Sequence, residues 1–402
     1  MVLADVKNNN KGKTRILLME VRCMLMALDQ SNNYVSASSI DINKGKYVCP
    51  GCGAPVYLKK GTIRVPHFSH YKQSDCRVFS EGETEEHLEG KQLLYDWLTI
   101  SGISVQMEAY IPELKQRPDL LCWMQDGTPL AVEFQCSRLS MERMLERTEG
   151  YEEKGYFVLW ILGKNFFLNK RLSPFQKLFL TEAHAQNILF FQLDVRKKEL
   201  SIAYDFSFHP KSTRTCYRKR ALSLTEPLHE QAQVFYQIKA KRREPRPTNL
   251  LLMQENLYQK RNYRDKEVVR FLHEIYEEGD NLISLPVETY LPVKTEWMIE
   301  SLSFRWKYAL LRWWQNKEVG SVVHQEEVEQ TIKELQQAGR LKFCLSPMIN
   351  EKTFHTPIQE YVQLLCQRGL LAAVSSTEWV VLSYPHRCRS EEEKRMKLLE
   401  LS

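Results

Sequence analysis

The first clear pattern in the chain is one of short β-type runs. Two of them flank a polar turn at 29–33, and a second hairpin-like unit covers 49–70, so the sequence predicts a small β module over 24–80. Residues 1–23, with three consecutive asparagines, read as disordered. After this the period lengthens. Residues 83–100 read as a helix with an acidic first turn suited to the helix dipole, with Leu94, Trp97 and Leu98 on one side, and Gly102 stops it. Three β-rich runs follow at 103–111, 117–124 and 130–136, punctuated by Pro112 and an Asp-Gly turn, and they read as an antiparallel meander. A second helix is expected at 140–154 and a continuous apolar strand, buried on both faces, at 156–162. Further strands are expected at 188–193 and 200–206. The predicted fold class is α/β, with a helix, three strands, a helix and a strand inside a domain spanning 81–206. Beyond a basic linker at 207–250, helical periodicity at 266–278, 295–315, 326–339 and 357–369 predicts a separate helical C-terminal domain over 251–402.

Charge changes this picture in one place. The net charge of the 402-residue chain is only +6, but residues 209–270 hold 15 Lys and Arg against 6 Asp and Glu. Arg218, Lys219 and Arg220, and a second cluster at 239–246, stand near Tyr217, Phe235, Tyr236 and Tyr258, a mixture that suits phosphate contact and base stacking. The ten cysteines are scattered, which argues against a secreted disulfide framework and for a reducing cytoplasm. The most apolar stretch, 16–28, is broken by Glu20 and Arg22, and no run reaches the roughly 20 apolar residues of a membrane span.

The candidate chemistry lies at 117–135. In Arg117-Pro118-Asp119 the proline fixes the entry to a strand, and a carboxylate then leaves an apolar surface. In Ala131-Val132-Glu133-Phe134-Gln135, strand alternation sends Glu133 and Gln135 to one face. Asp119 and Glu133 on neighbouring strands make an oxygen-rich pair suited to Mg²⁺ or Mn²⁺. Such a metal activates water and neutralises phosphoryl charge. On the second helix Arg147 and Tyr151 are four apart and share a face. Ser137 points to the same face as Gln135. Separately, Cys49-Pro-Gly-Cys52 is a tight knuckle, with His67, His70 and Cys76 following. Cys49, Cys52, His70 and Cys76 are the most economical zinc set and His67 the substitute, and spacing alone does not choose between them. Four protein ligands make such a zinc structural.

The run of 83–162 resembles the PD-(D/E)XK nuclease superfamily, whose core follows the same αβββαβ order and whose motif is Pro-Asp, a hairpin, then acid-x-Lys. More narrowly, Cys-Pro-x-Cys, His-Phe-x-His, Glu-His-Leu-x-x-Lys, Arg-Pro-Asp and Glu-Phe-Gln-x-Ser together resemble the bacterial competence protein CoiA family over 24–206. The resemblance implies a restriction-endonuclease-like core acting on incoming DNA during transformation. It sets the Glu-His-Leu motif against the metal site, with Glu86 as a further ligand and Lys91 as a phosphate contact. The expected catalytic set is Asp119, Glu133, Gln135 and Glu86, with Arg147, Tyr151 and the basic segment gripping single-stranded or branched DNA, and recombination proteins as further partners. Gln135 stands where the superfamily has lysine and cannot carry its charge. Two functions are therefore expected to compete: a metal-dependent deoxyribonuclease, and a DNA-binding recombination accessory without strong cleavage.

Overall fold

The computed structural model describes residues 23–41, 45–62, 64–71, 76, 84–169, 171–183, 187–209, 214–239 and 250–401. The expected disordered segment 1–23, apart from Cys23, and the basic cluster 239–246 beyond Lys239 lie outside the described residues.

The N-terminal module is an antiparallel sheet of short strands: β1 (Cys23–Met24), β2 (Met26–Leu28), β3 (Tyr34–Ser36), β4 (Tyr47–Val48), β5 (Pro55–Lys59) and β6 (His67–His70), in the order β1-β6-β5-β4-β2-β3. Met24, Ala27, Val56 and Phe68 form its core together with Cys49 and Cys76.

Helix α1 (Glu85–Ile100) begins where the Thr84 side chain accepts a hydrogen bond from the His87 N–H, with Glu85 and Glu86 at the positive end of the dipole. It ends at Ser101, ahead of Gly102, whose φ of +73° suits glycine. Strands β7 (Ser104–Met107), β8 (Leu120–Trp123) and β9 (Pro129–Gln135) form an antiparallel meander. Helix α2 (Met141–Glu152), capped by Ser140, then carries the chain to β10 (Phe157–Leu162), which runs parallel to β9 from Phe157 opposite Leu130 to Leu162 opposite Gln135. After the short helix α3 (Pro174–Lys177) come β11 (Thr181–Ala183), β12 (Asn187–Asp194), β13 (Glu199–His209) and β14 (Arg214–Ser223). The sheet order is β14-β13-β12-β10-β9-β8-β7, with β11 paired to β12. Part of the stretch read as a basic linker is thus strand. Arg218, Lys219 and Arg220 sit on β14, where a run of charges hides the alternation that would have announced it.

The remaining elements are α4 (Gln233–Lys239), α5 (Leu250–Asn262), α6 (Lys266–Glu277), α7 (Ser303–Gln315), β15 (Val322–His324), α8 (Gln325–Gln337), α9 (Thr356–Gln367), β16 (Leu371–Ala373), β17 (Glu378–Val381) and α10 (Glu391–Glu400). Helices dominate, as the periodicity predicts, but a small sheet ordered β15-β17-β16 closes one core. Its three- and four-residue strands are too short to show a period. Helix, strand, two helices and a hairpin in this order give the connectivity of a winged helix, with Trp306, Leu310, Val328, Ile332, Tyr361 and Leu365 in its core. Trp297, Trp306 and Trp314 are buried, so the tryptophans serve packing.

By internal packing the chain divides into two units, Met1–Phe167 with Phe191–Ile202 and Arg220–Gln237, and Leu168–Phe190 with Ala203–Lys219 and Ile238–Ser402. The chain crosses between them within β12, β13 and β14. Among the described residues no helix is long and apolar enough to cross a membrane.

Gly90 sets how closely α1 lies on β9. A Cβ there would fall 2.0 Å from the ring of Phe134, itself fully buried. Gly90→Ala is therefore expected to destabilise the protein by about 1–3 kcal/mol, although alanine is the better helix former. Urea denaturation of the variant checks this, and an unchanged or higher midpoint would contradict the close approach.

Candidate active site and metal centre

Strand register brings three carboxylates into one row. Met107 pairs with Leu120, and Leu120 with Val132. One residue further along, Glu108, Asp119 and Glu133 stand abreast on three neighbouring strands, the first two joined by a Glu108 N–H to Asp119 carbonyl bond of 2.9 Å. Like charges side by side in a sheet repel, and helix-borne partners answer each of them.

Asp119 is met from α1. His87 Nε2 lies 3.0 Å from its Oδ2, which also accepts the Phe134 N–H at 2.8 Å, and Lys91 Nζ lies 3.8 Å from Oδ1. Burial alone would raise the Asp119 pKa, but His87, by charge and hydrogen bond, then Lys91 and the Phe134 N–H, hold it well below the usual carboxylate range. Glu108, fully buried and at a φ of +52°, is bound 2.5 Å from Lys91 Nζ and 2.7 Å from Arg117 Nη1. Its Oε2 also accepts the N–H groups of Leu25 and Met26 in the β module, at 2.9 and 3.2 Å. Burial pushes the Glu108 pKa up, while the opposing charges of Arg117 and Lys91 bring it below its ordinary value. Glu133 faces α2 instead. Its Oε1 accepts the Tyr151 hydroxyl at 2.6 Å and an N–H of Arg147, whose guanidinium lies over the Trp160 ring. Burial disfavours the charged form of Arg147, yet Glu133 keeps it firmly protonated.

The expected site residues therefore fall into distinct settings. Lys91, expected at a phosphate, is wholly buried between Glu108 and Asp119 and acts on carboxylates instead. Tyr151 is likewise fully buried, and with Arg147 it is turned onto Glu133 rather than outward. Gln135 donates through Nε2 to the carbonyl of Ser137 at 2.9 Å and to its hydroxyl at 3.3 Å, which fixes the amide. Glu86 accepts the Lys164 N–H at 2.8 Å and pairs with its ammonium at 3.4 Å. Of the Glu-His-Leu motif it is His87 that touches Asp119. Arg218 on β14 lies 4.0 Å from Asp205. Glu108 is not picked out by motif spacing. The signal for it was an acid following a strand of alternating polar and apolar residues, legible only once the register to Asp119 was set.

In the β module the ligand atoms of Cys49, Cys52, His70 and Cys76 all lie within 4.8 Å of one another, and His70 Nε2 is 3.5 Å from Cys52 Sγ. His67 points away, its Nδ1 2.9 Å from the Val65 carbonyl, so β6 contributes His70 rather than His67. A Cys₃His set at this spacing can hold a structural metal ion such as zinc.

Sheet, flanking helices and carboxylate row describe a nuclease-like domain joined to a metal-ligand module. The model of the competence protein CoiA nuclease-like domain matches residues 83–232, and those of the CoiA N-terminal and C-terminal domains match 30–79 and 252–394. The chain belongs to the competence protein CoiA family. It is similar to Competence protein CoiA of Bacillus subtilis (strain 168), 23% identical over 357 residues that cover 85% of this chain and 91% of that protein.

Two outcomes follow from the charged row. The folded pKa values of Asp119 and Glu108 lie below their ordinary 3.8 and 4.5, so their stabilisation is complete above those values and is lost as the pH falls beneath them. The unfolding midpoint should therefore hold steady from neutrality to the ordinary carboxylate range and drop below it. Glu108→Gln, which strands Lys91 and Arg117 without their carboxylate, should cost about 3–5 kcal/mol in chemical denaturation. A cost near zero would show that the pair carries no such weight.

Proposed function

We propose that the nuclease-like domain is a metal-dependent DNA phosphodiesterase that processes DNA during natural transformation and recombination, in the cytoplasm. The observation that carries this reading is the placing of Asp119 and Glu133 on adjacent strands, with protein cations beside each. Mg²⁺ is commonly bound through only one or two carboxylates and completes its shell with water and substrate phosphate. The donor set of two carboxylates fits such an ion, although among the described residues neither belongs to a group of three or more His, Cys, Asp or Glu ligand atoms within 4.8 Å of one another. Asp119 and Glu133 would hold Mg²⁺ or Mn²⁺, which when bound supplies an acidic water and a Lewis acid for the phosphoryl oxygens.

The chain's own residues account for the rest. His87 and Lys91 keep Asp119 ionised and aimed, and Arg147 and Tyr151 do the same for Glu133. Gln135, its NH₂ fixed by Ser137, stands on the strand of Glu133, two residues on and on the same face, where an amide can orient a water by hydrogen bonding. The positive charge that the motif lysine would bring comes from Lys91 and Arg147 instead. Glu86 serves the loop after β10 through Lys164. Arg218, Lys219 and Arg220 supply basic surface for the DNA backbone. The Cys₃His set takes zinc as a structural ion.

Cleavage of single-stranded and branched DNA with Mg²⁺ or Mn²⁺ tests the enzyme reading. Loss of a supporting partner costs about 10–100-fold, so Asp119→Ala and Glu133→Ala should each lose at least that much, while salt-sensitive DNA binding remains. Equal cleavage by wild type and both variants would assign the activity elsewhere. No cleavage by wild type that still binds DNA would favour the accessory reading, which Gln135 supports. For zinc, a Cys49→Ser, Cys52→Ser protein should carry one equivalent of metal less than wild type by mass spectrometry, and an equal content would remove the assignment.

A further inference from the structure

We propose that His386, Cys388 and Glu393 form a second metal site, in the C-terminal domain, which takes a borderline divalent cation of the zinc class through three protein ligands and leaves one coordination position open. One ligand atom from each of the three lies within 4.8 Å of the other two. Tetrahedral zinc with bonds near 2.0–2.3 Å needs ligand atoms about 3.5 Å apart, a closure within reach of the half-exposed His386 side chain.

The segment is built to hold this geometry. Residues 382–388 contain neither helix nor turn. His386 and Cys388 are two apart in this extended stretch and so share a side, while the intervening Arg387 goes to Asp280 and to Gln315. Tyr384 ties the start of the segment through its hydroxyl to the Lys317 carbonyl at 2.6 Å. Glu393 is at the third position of α10, where its N–H is capped by Ser390 and its Oε2 accepts the Arg389 N–H at 2.7 Å. That second bond fixes the carboxylate and leaves Oε1 toward His386 Nε2, 2.6 Å away.

The charge balance also suits a dication. A thiolate, a carboxylate and a neutral imidazole sum to −2, and the nearest amine on α10, Lys394, is turned away to the Leu282 carbonyl. Cys388 is 3% exposed. Glu288, 5% exposed, has a buried Oε2 with no hydrogen-bond partner among the described residues, and burial pushes its pKa up, so the charge balance rests on the three ligands themselves. The mixed N, S, O donor set favours zinc over magnesium or calcium. Three ligands leave the fourth position for water or an incoming donor, the pattern of a working rather than a purely structural zinc.

The test is metal content of the full-length protein at nanomolar buffered free zinc, comparing wild type with His386→Ala and Cys388→Ser. Each variant should hold one equivalent less than wild type. His386 lies outside the core, so His386→Ala should keep the wild-type circular dichroism and, in metal-free buffer, the wild-type unfolding midpoint, which separates loss of metal from loss of fold. With cobalt, Cys388→Ser should lose a single-thiolate charge-transfer band that the Cys49→Ser, Cys52→Ser protein retains, so the two sites read out separately. Equal zinc in wild type and His386→Ala would overturn the site and reduce these residues to an ion pair beside a helix cap.

Discussion

Three carboxylates abreast on neighbouring strands are the constraint from which the nuclease-like domain is built. At cross-strand spacing and an effective dielectric near 20, each adjacent pair of like charges would repel by about 3 kcal/mol. That exceeds what a favourable cross-strand pair returns, roughly 0.2–1 kcal/mol. The sheet edge can exist only with cations buried beside it. This accounts for Lys91, a residue type almost never fully buried unless paired, having no exposure at all, and for the glycine one position earlier that lets α1 settle onto β9. It also accounts for Glu108 holding a left-handed backbone, which turns the chain at the end of β7.

The compensation is unequal, and the inequality gives the carboxylates different work. Glu108 and Glu133 side chains are 1% and 2% exposed, Glu108 held by Lys91 and Arg117 and Glu133 held at Oε1 by Arg147 and Tyr151, whereas Asp119 keeps 12%. Asp119 is the member of the row that solvent reaches. Its two α1 partners also differ in kind, for Lys91 is an ammonium set between Glu108 and Asp119 while His87 is an imidazole against Asp119 Oδ2. Three cations, from α1, α2 and Arg117, stand against the row alongside glutamine at 135. Glutamine there removes one charge without leaving the carboxylates unopposed.

The fold of this domain was largely legible because its signals are local. A capped amphipathic helix, an Asp-Gly turn and an apolar run each announce themselves within a dozen residues. The Cys₃His set was legible for the same reason, since a knuckle fixes two ligands and only few partners remain. What escaped were features set by register and by charge. Neither the row through Glu108 nor the burial of Lys91 has any trace in spacing, because a lysine on a first-helix face looks solvated until the strand beneath it is known. Strand β14 was hidden by its own arginines, and the short strands around α8 and α9 by their length. His386, Cys388 and Glu393 draw no notice in sequence, because a helix cap rather than a motif brings the glutamate back to the other two.

The β module and the carboxylate row are parts of one support. Strand β1 pairs with β6, which carries His70, and the N–H groups at the β1–β2 junction hold Glu108. Glu108 in turn fixes Lys91 and Arg117, and Lys91 faces Asp119. Each link in this path is a hydrogen bond or ion pair, and its middle members are buried, where such bonds are stronger and their loss costs most. A six-stranded sheet of two- to five-residue strands buries too little apolar surface to stay in register alone. A metal ion drawing Cys49, Cys52, His70 and Cys76 to one point would hold β6, and through β1 the two amides that orient Glu108. Such an ion would be linked to the setting of Asp119 by position alone, with no moving part required.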